Sequence, residues 1–130
     1  LTLYAEIPEH VRRLVIERIH SISELEIVLL LHRDASRSWT AEQVSAELRI
    51  DRIWTAGQLP VLRDRGLLAS PNSRPDHFQF RPSDPKLEEA VQALAVSYSD
   101  RRVAVISLIY SKPPGDVRVL ADAFRVRRED

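Results

Sequence analysis

The sequence predicts a mainly α-helical fold carrying a small β-hairpin, and three observations point to it. Two capping boxes, Ser21-Ile-Ser-Glu24 and Thr40-Ala-Glu-Gln43, each open a stretch with apolar residues at helical spacing. Leu67-Leu-Ala-Ser70 and His77-Phe-Gln-Phe80 read as two short strands joined by the proline-rich loop Pro71 to Asp76. Asp84-Pro85 then places an N-cap before a proline at the first helical position, where the missing N–H costs nothing, and a long helix is expected to about Ser111.

In chain order, Pro8 to Ile19 sets Val11, Leu14, Val15 and Ile19 on one face of an opening helix. The run LEIVLLLH after Glu24 is apolar nearly all round and belongs in the middle of the core. Asp34 to Ser38 is a polar turn, and the helix from Thr40 ends near Leu48 with Val44 and Leu48 inward. Asp51 caps a further helix to Arg65, stopped by Gly66, the residue best able to take a left-handed conformation. Lys112-Pro-Pro-Gly115 breaks the long helix. Asp116 to about Arg127 reads as a final amphipathic helix with Val117, Leu120, Ala121 and Phe124 on one face. The organisation expected is a flanking helix at 1–20, a central unit at 21–82 and C-terminal helices at 83–130.

The chain has 130 residues, a hydrophobic share of 44% and a charged share of 29%, the balance of one soluble globular domain. No apolar run is long enough for a membrane span. There is no cysteine, which excludes disulfides and thiolate metal sites, and no signal-peptide pattern opens the chain, so a cytoplasmic home is expected. A start at Leu1 without Met reads as a trimmed one. Net charge is zero, whereas domains held to phosphate by electrostatics usually carry a basic excess, at least locally.

The order helix, short extended turn at Ser38-Trp39, helix, helix, strand, loop, strand looks like a winged helix-turn-helix. WTAEQVSAELRID followed by LRDRGLL resembles the MarR-like regulators of bacteria, over roughly Ser23 to Arg81. Leu48, Leu59, Leu62, Gly66, Leu67 and Leu68 sit where that family keeps core and cap residues. The resemblance implies a transcriptional regulator, homodimeric through its flanking helices. The Asp51–Arg65 helix would lie in the major groove of duplex DNA, with the wing along its backbone. Candidate contacts follow from side-chain chemistry: Arg52 to guanine or phosphate, Thr55 and Gln58 to base edges, Thr40 to phosphate near a helix start, and Arg74 in the wing to the minor groove or a phosphate. Thr40 also reads as simply a cap, and Arg52 as a solvated side chain.

That helix departs from the family pattern. Counted back from Gly66, its outward positions fall near Ile53, Trp54, Ala56, Gly57, Pro60 and Val61, which offer few hydrogen bonds. Pro60 in the helix interior costs about 3 kcal/mol and Gly57 about 1 kcal/mol more, so a kink or an early break near Gly57 is expected. An exposed Trp54 beside Ile53, with Val61, suits a protein-binding hot spot, which gives a second function: an adaptor that docks a protein partner without touching DNA. A kink that turns Trp54 into the core is the competing outcome.

On the long helix, Leu87, Val91, Leu94, Tyr98, Arg101, Val105 and Leu108 follow alternating steps of four and three, a coiled-coil seam interrupted at Arg101. With Ile106 and Ile109 added, apolar residues cover most of the circumference near the end of that helix. This surface is expected to make a homodimer, the alternative being packing on the opening and final helices of the same chain.

Catalytic chemistry finds no footing. His10, His20, His32 and His77 are scattered without metal-ligand spacing. With only Gly57, Gly66 and Gly115, no phosphate-cradling loop or nucleophile elbow can be built. Neither an enzymatic activity nor a cofactor is expected. Asp76-His77 forms a surface dyad at the wing, of a kind that is usually incidental.

Overall fold

The computed structural model describes residues 7–110. The expected final helix at 116–127 and the break at Lys112 lie outside the described residues. The elements are α1 (Glu9–Arg18), α2 (Ile22–Arg33), β1 (Trp39–Thr40), α3 (Ala41–Leu48), α4 (Arg52–Asp64), β2 (Leu68–Ala69), β3 (His77–Phe80), α5 (Pro85–Asp100) and α6 (Arg102–Tyr110).

Helix starts are fixed by side chains that accept otherwise orphaned backbone N–H groups. Ser21 Oγ accepts from Glu24 N at 3.1 Å, Asp51 from Trp54 N at 2.7 Å and Asp84 from Lys86 N at 2.8 Å. The box at Thr40 is complete, with Gln43 N donating to Thr40 Oγ1 and Thr40 N to Gln43 Oε1. At Ser21 the box is altered: Glu24 reaches back to the N–H of His20 at 2.8 Å. Helix α4 ends in a Schellman arrangement, Leu67 N to Leu62 O at 3.1 Å and Gly66 N to Arg63 O at 2.9 Å, with Gly66 at φ +87°.

The strands pair antiparallel in the order β1-β3-β2. The residues read as an extended turn at Ser38-Trp39 supply a third strand, Trp39–Thr40, on the far side of β3, so the hairpin becomes a three-stranded sheet. Alternation along β3 turns Phe78 and Phe80 into the core and leaves His77 and Gln79 half-exposed.

One buried cluster runs through all the helices and the sheet. Val11, Val15 and Ile19, then Leu25, Val28 and Leu31, meet Leu59, Leu62, Phe78, Val91, Leu94 and Val105. The core therefore crosses the expected divisions at 20/21 and 82/83. Helix α1 packs on α5 and α6, and α2 on α3, α5 and β3.

The long C-terminal helix is not continuous. Arg101 leaves helical geometry at φ −134°, ψ 52°, and α6 starts again at Arg102. A restart there lets Ala104, Val105, Leu108 and Ile109 pack into the core. Burial of that apolar segment outweighs the uninterrupted helical pattern. Of the residues expected to form a dimer seam, Val91, Leu94, Val105, Leu108 and Ile109 are buried in the single chain, and Leu87, Tyr98 and Ile106 are half-buried. They lie on helices that pack against α1 and α2 of the same molecule, and the large hydrophobic residues left exposed on α5 and α6 are Val96, Val103 and Tyr110. Among the described residues no helix is long and apolar enough to cross a membrane.

Candidate functional site

Helix α4 has two faces of opposite chemistry, and the 3.6-residue period separates them. Thr55, Leu59 and Leu62 point inward and are fully buried. The opposite face carries Ile53, 80% exposed, Trp54, 38%, and Val61, 37%, together with exposed Ala56 and Gly57 and half-buried Pro60. Proline does not break the helix, which runs unbroken from Arg52 to Asp64. The Trp54 ring stays outward, because the continuous helix gives it no route into the core.

Two of the residues expected to read bases are turned away from solvent. Thr55 Oγ1 donates to Asp51 O at 2.6 Å, one turn back, and has no exposed surface. Gln58 is half-buried, and its Nε2 donates to Glu24 Oε2. The physical reason is Glu24, a carboxylate in the first turn of α2 that is buried, and whose burial demands donors. Arg65 Nη1 meets Glu24 Oε1 at 2.7 Å and also donates to Arg18 O at 3.0 Å, while Arg18 Nη1 donates to Arg65 O. Thus Gln58 and Arg65 fasten α4 to the start of α2 and the end of α1. Thr40 is a cap and a strand residue, half-buried and paired with His77. Arg52 and Arg74 are exposed as expected, the first at the start of α4 and the second in the 71–76 loop.

Beside the outward face lies an apolar hollow of about 330 Å³, lined by Ala41, Ala56, Pro60, Pro75, Asp76 and Phe78. Pro60 forms part of its wall, and at Gly57, outside the lining, a Cβ would meet nothing within 4 Å. The loop is held in place by Arg63, whose Nη1 donates to Ser70 Oγ at 3.0 Å and Pro75 O at 3.4 Å and whose guanidinium lies over the Phe78 ring at 5.4 Å. Sequence reasoning missed this hollow, since it needs residues from α3, α4 and β3 together.

The charges around this face are mixed. Exposed Arg49 and Arg52 stand at the start of α4, exposed Asp64 at its far end, and exposed Asp76 in the loop beside Ala56 and Pro60. Asp76 Oδ1 lies 3.1 Å from His77 Nδ1, and this hydrogen bond, with a backbone one, holds its carboxyl below the ordinary value of 3.8. Among the described residues no group of three His, Cys, Asp or Glu side chains is placed to hold a metal ion. A second, smaller depression between α2, α3 and the α5–α6 junction contains Glu26, Arg33, Tyr98 and Arg102, with Arg102 Nη2 3.2 Å from Tyr98 Oη. Comparison with known proteins yields no match to this chain among protein-family models, curated proteins or solved structures.

Proposed function

We propose that this chain is a winged helix-turn-helix domain whose reading helix, α4, is given over to binding protein instead of DNA. The order α2, β1, α3, α4, β2, β3, with β1 paired to the outer side of β3 and the 71–76 loop as a wing, supports the fold. The observation that carries the function is the division of α4. Its hydrogen-bonding side chains, Thr55 and Gln58, are engaged inside the molecule, while Ile53, Trp54 and Val61 face solvent. A groove reader needs donors and acceptors at base edges. An aromatic and aliphatic anchor set beside an apolar hollow is instead what a protein interface uses. The exposed cations at the start of α4 are matched by exposed anions at Asp64 and Asp76, and such a field does not gather phosphates.

A second reading, duplex DNA, is favoured by the exposure of Arg52 and Arg74, the positions suited to phosphate contact. A photo-reactive phenylalanine analogue at position 53 separates the two in cells. Adducts to protein are expected. Adducts to DNA, together with duplex binding whose log-log salt slope is roughly −0.9 per phosphate neutralised, overturn the protein reading.

A further inference from the structure

Independently of what α4 binds, we infer that the chain's own terminal segment, Asp116 to Arg127, docks as an antiparallel helix along the outward face of α6. The inner side of α6, with Ala104, Val105, Leu108 and Ile109, is buried, and the helix packs on α1 and α5. A rotation of about 100° per residue puts Val103, Ile106, Ser107 and Tyr110 on the opposite side. Val103 is 70% exposed and Tyr110 76%, while Ile106 and Ser107 are half-buried. No charged side chain occurs from Val103 to Tyr110, so α6 is apolar nearly all round. A helix of that kind is buried on every side in a folded protein, and among the described residues the outward face lacks its cover.

The spacing of the residues that follow identifies the cover. Val117, Leu120, Ala121 and Phe124 repeat the steps of three, one and three that separate Val103, Ile106, Ser107 and Tyr110. Because that pattern reads the same in both directions, an antiparallel helix meets α6 at all four positions in a single register. Val117 falls on Tyr110, Leu120 on Ser107, Ala121 on Ile106 and Phe124 on Val103. Large side chains thus oppose small ones at the two central positions. Asp116, Arg118, Asp122 and Arg125 fall off that face.

Connectivity points to the same occupant. Lys112-Pro113-Pro114-Gly115 cannot prolong α6, and the five residues 111–115 are enough to cross the roughly 8–10 Å between packed helix axes. So short a tether holds the segment at an effective concentration on the order of millimolar, which a second copy at micromolar concentration does not match.

The chain has no cysteine, so engineered pairs report on the register directly. Val103→Cys combined with Phe124→Cys should close a disulfide within one chain under mild oxidation. Tyr110→Cys combined with Phe124→Cys, about 10 Å out of register, should not. In the unaltered chain, nuclear Overhauser contacts are expected between the Phe124 ring and the Val103 methyls. Val103→Asp should remove the docking and lower amide protection across 117–126 by about tenfold or more, with the circular dichroism of the remaining helices retained. A first pair that cross-links no better than the second, no Phe124–Val103 contact in the unaltered chain, or protection unchanged by Val103→Asp overturns the inference. Cross-links or contacts found only between chains, shown by mixing labelled with unlabelled protein, put a second copy in the place of the segment and overturn it as well.

Discussion

Arg65 Nη1 stands 2.7 Å from Glu24 Oε1, joining the end of α4 to the first turn of α2, with the Glu24 side chain only 6% exposed. Gln58 reaches the same carboxylate from about two turns earlier. Glu24→Ala should therefore cost about 2–3 kcal/mol, since it removes the acceptor of three donors, Arg65 Nη1, Gln58 Nε2 and the His20 N–H. Arg65 retains some water contact, which keeps the loss below that of a fully buried pair. Urea denaturation of the variant checks it, and a midpoint equal to wild type would contradict the network.

Gly57 and Gly66 should respond oppositely to the same substitution. At Gly57 a Cβ enters open space inside a helix, so Gly57→Ala is expected to stabilise by about 1 kcal/mol through helix propensity. At Gly66, φ is +87° and a Cβ would lie 2.8 Å from Ser83 Oγ. Gly66→Ala should destabilise by about 1–2 kcal/mol or more. Thermal melts of the pair measure both signs.

Neighbouring Trp54 and Thr55 should divide binding from stability. Trp54→Ala is expected to move folding free energy by less than about 1 kcal/mol and to abolish protein docking, as loss of an interface anchor does. Thr55→Val removes the hydroxyl that donates to Asp51 O, costs about 1 kcal/mol and leaves docking intact. If Thr55→Val instead impairs ligand binding at unchanged stability, the inward assignment of α4 is wrong.

The Asp76–His77 contact has a pH signature. Because the folded state lowers the Asp76 pKa, its contribution is present above the ordinary value of 3.8 and is lost as pH falls through the folded one. Carboxyl resonances followed by NMR should titrate below that value, and His77→Ala should bring the midpoint back up. The side chain is exposed, so the titration, not the melting temperature, is where the effect will be read.

The outward face of α4 is legible in the sequence because a period of 3.6 residues, counted from Gly66, needs no tertiary information. The same count sets Thr55 with Leu59 and Leu62 on the inner face, whatever hydrogen-bonding chemistry its side chain has. Gln58 sits at the border, and only its distance to Glu24 decides its role. Glu24 precedes the apolar run, where it reads as the partner of a capping box, and nothing in its own position marks it as buried. The interruption at Arg101 carries no proline or glycine, and it follows from where the core lies for Val105 and Leu108. The strand at Trp39–Thr40 is too short to show alternation and exists because β3 offers it an edge.

That edge has a further consequence. Both outer strands of the sheet, β1 and β2, are two residues long, so each rim exposes very few unsatisfied amide and carbonyl groups. A visiting extended peptide finds no ladder long enough to lengthen, and stacking of one sheet onto the next between molecules is discouraged by the same shortness. Recognition at this sheet thus has to run through side chains, and its edges deny main-chain templating to friendly ligands and aggregating neighbours alike.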